Sequence, residues 1–192
     1  MWSRPNVYGH GVPFLFPASP DTGPGLRGAG RELVRECNRL GVRIDLSHLN
    51  ERGFWDVAVL SEAPLVATHS NAHALCPIAR SLTDRQLDAI RDSDGMVGVT
   101  FAVAFLREDG AEDEDTPVED VMCHVDYLVE RVGIERLGFG SDFDGAKVPR
   151  GIGEASGLPR LLDALLERGY DDALQQLAHE NWVRVLRRTS RP

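Results

Sequence analysis

Two histidines close two short apolar runs, Val42-Arg43-Ile44-Asp45-Leu46-Ser47-His48 and Pro64-Leu65-Val66-Ala67-Thr68-His69-Ser70. Neutral imidazole is the commonest ligand for a borderline metal, and zinc accepts its nitrogen at roughly 2.0–2.1 Å. If both runs are adjacent parallel strands, their tips lie roughly 4.8 Å apart, close enough to share one ion. In parallel α/β proteins the site lies at the carboxyl ends of the strands, where these histidines fall. Either histidine alone reads more readily as a hydrogen-bonded core or loop residue; the pair at matching strand ends points to a metal or catalytic site.

Two imidazoles do not complete a zinc site, which takes a third protein ligand and, in hydrolases, often a carboxylate. Asp142 is the leading candidate, as a ligand or as a general base, because Leu137-Gly138-Phe139-Gly140-Ser141-Asp142 is another short apolar run ending in a polar group. Asp45 and Asp144 are weaker candidates, the latter suited to capping a turn. Arg80, in the loop after the second histidine run, could clamp a substrate carboxylate bidentately. His10 and His73 fall in loops on the same face, with His10 read as structural, and His124 and His179 fall in helices as surface or packing residues. There is no nucleophile elbow, no phosphate-cradling glycine loop and no glycine fingerprint opening a helix.

The elements that would position these residues alternate. Leu26 to Leu40 has helical apolar spacing and stops at Gly41, Asn50 is placed to cap a helix through Leu60, and Thr83 with Gln86 forms a capping box for a helix ending near Gly95. Met96 to Phe101 reads as a buried strand, Glu108 to Asp115 as a solvated acidic loop, and Val118 to Val132 as a long helix. After the 137–142 strand, helices are expected over 158–167, 171–178 and 180–186. The alternation, without hairpin signals, implies parallel strands joined by right-handed crossovers. Four strands are expected, with a fifth if the start of the chain adds a tip. The Pro- and Gly-rich first 25 residues read as a long loop before the alternating region 26–192, all in one domain.

The chain of 192 residues, 42% hydrophobic and 27% charged, has ordinary globular usage. Its net charge of −9 opposes nucleic acid or an anionic membrane as main partner. No apolar run approaches a membrane span and Met1-Trp2-Ser3-Arg4-Pro5 lacks a signal-peptide core, so a cytoplasmic protein is expected. Cys37, Cys76 and Cys123 are too scattered for a disulfide framework and read as reduced thiols.

Beyond spacing, Ile44-Asp45-Leu46-Ser47-His48, Ala63-Pro64-Leu65-Val66-Ala67-Thr68-His69-Ser70-Asn71-Ala72, Arg80-Ser81-Leu82-Thr83-Asp84 and Gly138-Phe139-Gly140-Ser141-Asp142-Phe143-Asp144-Gly145 together resemble the membrane (renal) dipeptidase family of zinc peptidases. The motifs occur in the family's order, from Ser3-Arg4-Pro5-Asn6 to Asn181. The resemblance implies an α/β fold, the C-terminal half of a (β/α)8 TIM barrel of the amidohydrolase type. It also implies zinc (Zn) as cofactor, two ions bridged by a glutamate, and a dipeptide substrate, often with a D-residue in second place. His48 and His69 would then be the histidine ligands of the second zinc, Arg80 would bind the substrate carboxylate, and Asp142 would handle the proton of the attacking water or contact the substrate amine.

The family's His-x-Asp pair and bridging glutamate have no counterparts in this sequence, Trp2 stands where a carbonyl-polarising histidine is expected, and Thr100 where many relatives have Asn. Weak zinc binding and little turnover are therefore expected of the chain alone. The alternatives are an inactive amidohydrolase-like half-barrel acting through association with another chain, and an amidohydrolase acting on a small amide. Half a barrel should leave open strand edges and an uncovered core face. A homo-oligomer is left open.

Overall fold

The computed structural model describes residues 5–12 and 19–189. Helix α1 (Gly28–Leu40) buries Val34 and stops at Gly41, whose φ of 66° is left-handed, as a helix-ending glycine allows. Helix α2 (Glu51–Leu60) starts at Asn50, whose side chain accepts the Gly53 N–H at 2.9 Å and donates to the Gly23 carbonyl. Strand β1 is Val66–Ala67, helix α3 is Asp84–Asp92, and β2 is Met96–Val99. Thr83 N–H donates to Gln86 Oε1 at 2.8 Å, the return half of the expected capping box. Helix α4 spans Val118–Val132 and packs on α3, followed by β3 (Leu137–Phe139), α5 (Leu158–Glu167) and α6 (Asn181–Thr189).

The strands run parallel in the order β1-β2-β3, with Val66 opposite Met96 and Gly98 opposite Gly138. Helix α3 connects β1 to β2 and α4 connects β2 to β3, the repeating unit of a (β/α) barrel. One sheet face carries Ala67, Val97, Val99 and Leu137 into the main core, where they meet Leu87, Ile90, Val121, Val125 and Leu128. Burying an aliphatic side chain of this kind is worth about 1.5–3 kcal/mol, so this layer dominates the fold's stability.

Three expectations need correction. Residues 42–48 form no full strand but a single parallel bridge, Asp45 to Val66. Val42 is 51% exposed, and the Asp45 side chain takes the Ser47 N–H at 3.1 Å, bending the chain away after one ladder bond, Leu46 N–H to Val66 O. Nor is the other sheet face bare. Trp182 and Val185 of α6 cover it against Val66 and Met96, because Gly98 and Gly138 stand side by side and leave room for the indole. A Cβ on either glycine would lie 3.0 or 2.8 Å from Trp182. The expected helices over 171–178 and 180–186 become a 3₁₀ turn at Asp171–Ala173, a π-helical stretch at Gln176–Glu180, and α6. Asn181 anchors that break by donating to the carbonyls of Ile134 and Leu137.

The strand tip expected near Met1 to Asn6 lies largely outside the described residues, as do Trp2 and Ser3. Pro5 and Asn6 carry no strand. All three cysteines are free thiols. Among the described residues no helix is long and apolar enough to cross a membrane.

Candidate metal and substrate site

The chain leaves the sheet after Ala67 because the next two donors are captured elsewhere. Thr68 N–H goes to Asp45 Oδ1 at 2.9 Å and His69 N–H to Ser47 Oγ at 2.9 Å. The Thr68 carbonyl lies over Gly98 and Gly140, where a Cβ would come within 2.0 and 2.1 Å of it. Only glycine permits that approach, and it swings His69 over the carboxyl ends of the strands. The turn Leu46–Leu49, closed by the Leu49 N–H to Leu46 O bond, aims His48 at the same point. The two Nε2 atoms lie 2.9 Å apart, with ring centroids at 4.9 Å.

Burial and the nearby Arg80 cation push the His48 pKa down to about 3. His69 is lowered for the same reasons, burial first. Both rings are therefore neutral at pH 7 and carry ring-nitrogen lone pairs. Burial works to raise the Asp45 carboxyl, but hydrogen bonds from Thr68 and Ser47 outweigh it and hold the group ionised below the ordinary range. Asp45 is occupied by these bonds and stands 3.8 Å from His69 Nδ1, so it serves as a hub beneath the histidines.

Arg80 lies deep, at 4% exposure, with its guanidinium over the Phe105 ring and Nη2 donating to the His69 carbonyl at 3.2 Å. Its Nε and Nη1 are buried without a hydrogen-bond partner among the described residues. Burial lowers its pKa to about 10, which leaves it cationic at pH 7. A buried cation with unpaired donors is costly unless a ligand supplies the anion. The Asp142 carboxylate bears electrostatically on both Arg80 and His69. Asp142 adopts a left-handed φ of 63°, and Gly145 leaves room for its carboxylate, since a Cβ there would lie 2.2 Å from Asp142 Oδ1 and displace it.

His48 and Asp142 line one cavity of about 420 Å³ with Ala102, Phe105, Ala146 and Lys147. That volume suits a small ligand. Asp144 is exposed in the turn beyond Asp142, and Glu112 of the acidic loop reaches the cavity rim. His73 lies in its loop, paired through its N–H with the Leu82 carbonyl. Sequence reasoning missed three supports. Thr68 bridges Asp45 and His69, and Asn71 ties the histidine loop to the cavity wall by donating to the Thr100 and Phe105 carbonyls. His124, buried in α4, accepts the Ala72 N–H at Nδ1 and donates from Nε2 to the Leu106 carbonyl. None of the three has a local sequence signal; only the Asp-x-Ser spacing at 45–47, typical of a side-chain turn, marks the hub that Thr68 joins.

The His124 clamp has a testable pH signature. Burial lowers its pKa to about 4, below the roughly 6.5 of an unfolded histidine, so the folded chain binds this proton less readily. Stability from this group is fully present above about pH 6.5 and is lost as pH falls toward about 4, by up to about 3 kcal/mol. An NMR titration should find the His124 ring changing near pH 4; a midpoint near 6.5 would contradict the clamp.

The parallel α/β layer thus carries paired imidazoles, a buried guanidinium and a carboxylate at its strand ends. The model of the membrane dipeptidase family, peptidase family M19, matches residues 7–191, and the chain belongs to that family. A metallo peptidase from Rhodobacter sphaeroides, solved with a phosphinate mimic of the dipeptide L-Ala-D-Ala, is 60% identical; its TM-score is 0.96, over 98% of this chain and 54% of that one. An amidohydrolase from Pseudomonas aeruginosa is 29% identical, TM-score 0.83, over 98% of this chain and 62% of its own. Dipeptidase tcpJ from Claviceps purpurea is 36% identical over 165 residues, 85% of this chain and 38% of the fungal protein. The chain thus spans about half the length of the solved relative from Rhodobacter.

Proposed function

We propose that this chain contributes to metal-dependent hydrolysis of dipeptides, with zinc as the metal and His48 and His69 as two of its ligands. The observation that carries the reading is the convergence of two neutral Nε2 atoms, 2.9 Å apart, beside a buried arginine with unpaired donors. That donor set fits a borderline divalent metal: two neutral imidazoles whose Nε2 atoms converge, one ring backed by a carboxylate through a hydroxyl. A catalytic zinc takes three protein ligands, and among the described residues no group of three His, Cys, Asp or Glu comes together. The residues outside the described ones include no His, Cys, Asp or Glu, so the remaining ligands are assigned to groups that this sequence does not supply.

When bound, the metal supplies Lewis-acid activation of water and of the scissile carbonyl. Arg80 is assigned the terminal carboxylate of the dipeptide, because its guanidinium is a buried cation whose Nε and Nη1 have no partner among the described residues. Asp142, on the cavity wall beside His48, takes the proton of the attacking water or holds the substrate ammonium. Ala102, Phe105 and Ala146 wall the space for a small side chain. The family membership and the phosphinate mimic bound by the Rhodobacter relative support an L-Ala-D-Ala-like substrate.

Calorimetric titration of this chain with L-Ala-D-Ala, with and without zinc, tests the proposal. Binding that requires zinc and disappears on chelation is expected; dipeptide binding indifferent to zinc, or none at all, would overturn it.

A further inference from the structure

The Thr68 hydroxyl lies 2.7 Å from Asp45 Oδ2 and 2.7 Å from His69 Nδ1, but it has one proton to give. Where that proton goes is settled by the carboxylate. Asp45 Oδ1 already accepts Thr68 N–H, Ser47 N–H and Ser47 O–H at 2.9, 3.1 and 2.8 Å, so Asp45 acts as an acceptor throughout. If Thr68 instead donated to His69, its oxygen would face Asp45 Oδ2 across 2.7 Å with no proton between them. That contact is repulsive. Thr68 therefore donates to Asp45 and accepts from His69 Nδ1–H.

We infer that Asp45 and Thr68 are positioning residues that lock His69 in its Nδ1–H tautomer, so that its Nε2 is the acceptor in the 2.9 Å hydrogen bond from His48 Nε2–H and is the atom a metal would take in that proton's place. Asp45 acts through Thr68, since its own carboxylate stands 3.8 Å from the ring. The main chain is held by the same hub: Thr68 N–H ends on Asp45, and His69 N–H ends on Ser47 Oγ, itself a donor to Asp45. One carboxylate thus fixes the ring's tautomer and, through Ser47, the place from which the ring projects. Outer partners of this kind typically change metal affinity 10- to 100-fold. The inference rests on the proposed metal site for its purpose, while the tautomer is a property of the metal-free chain.

The experiment is a long-range ¹H–¹⁵N correlation spectrum of the metal-free, ¹⁵N-labelled 192-residue chain at pH 7.5, with His69 assigned by the peak lost in His69→Ala. Protonated Nδ1 and unprotonated Nε2 are expected. The same spectrum of Thr68→Val should show a mixed or reversed tautomer, and Thr68→Ser should restore the native one. Zinc affinity, read by competition with a chelating dye, should fall about 10- to 100-fold in Thr68→Val and stay within about 3-fold in Thr68→Ser. A wild-type His69 protonated at Nε2 overturns the inference, and so does a Thr68→Val chain with native tautomer and native affinity. If Thr68→Val does not fold, the wild-type spectrum still decides. A chain with the expected tautomer but no zinc binding would retain the lock and remove the metal reading instead.

Discussion

Replacing His69 with alanine is expected to lower zinc affinity at least about 100-fold, more than loss of an outer-shell partner typically does. The substitution removes one of two converging Nε2 atoms and leaves a single imidazole at the strand ends. It should do so without unfolding the chain. The ring sits at a strand tip outside the main core, and the backbone bonds that shape the tip, Thr68 N–H to Asp45, His69 N–H to Ser47 and Arg80 to the His69 carbonyl, do not use the imidazole. Chelator competition and circular dichroism on the same samples check both halves. His69→Ala with native zinc affinity would remove this residue from the metal site, and any zinc-dependent dipeptide hydrolysis should fall with that affinity.

Arg80→Met should have opposite effects on stability and on binding. The native guanidinium is buried and has two nitrogens without partners among the described residues, so it burdens the ligand-free fold. Exchanging such a charge for an apolar side chain of similar length is commonly neutral or stabilising by about 1–4 kcal/mol, and a gain is expected here in thermal or chemical denaturation. Dipeptide affinity should fall by about 2–5 kcal/mol, roughly 30- to several-thousand-fold, because the substrate carboxylate would lose its buried charged partner. The histidines provide a third readout. Arg80 is the largest influence after burial on His48 and His69 and lowers both, so both should titrate at higher pH in the variant. An Arg80→Met chain that is less stable and binds dipeptide as well as the native one would assign Arg80 to the scaffold.

Much of this architecture could be read from residue order. Gly41, Asn50 and the Thr83–Gln86 pair set helix ends through local chemistry that tertiary packing does not override. The parallel arrangement followed from the alternation of helix and strand patterns. What stayed hidden depends on contacts between distant segments. The run 42–48 has strand-like composition, yet Asp45 spends its side chain on a turn and on Thr68, and the ladder ends after one bridge. Nothing local announces that Gly98 and Gly138 stand in register to admit Trp182 from 44 residues beyond the second of them. At the candidate site, His48, His69 and Asp142 are proposed from strand-end position and family resemblance, and Arg80 from its loop and the same resemblance; the fold brings them near one another. Thr68, Asn71 and His124 could not be named that way, because each acts by bonding to backbone or side chains that only the fold brings near.

The most direct test of the metal assignment is a crystal of the zinc-soaked chain with anomalous diffraction collected at the zinc edge. The expected result is one peak bonded to Nε2 of both His48 and His69, at the usual 2.0–2.1 Å for zinc and imidazole. A zinc peak elsewhere, or intact 2.9 Å contact between the two rings at saturating zinc with no peak beside them, would contradict it.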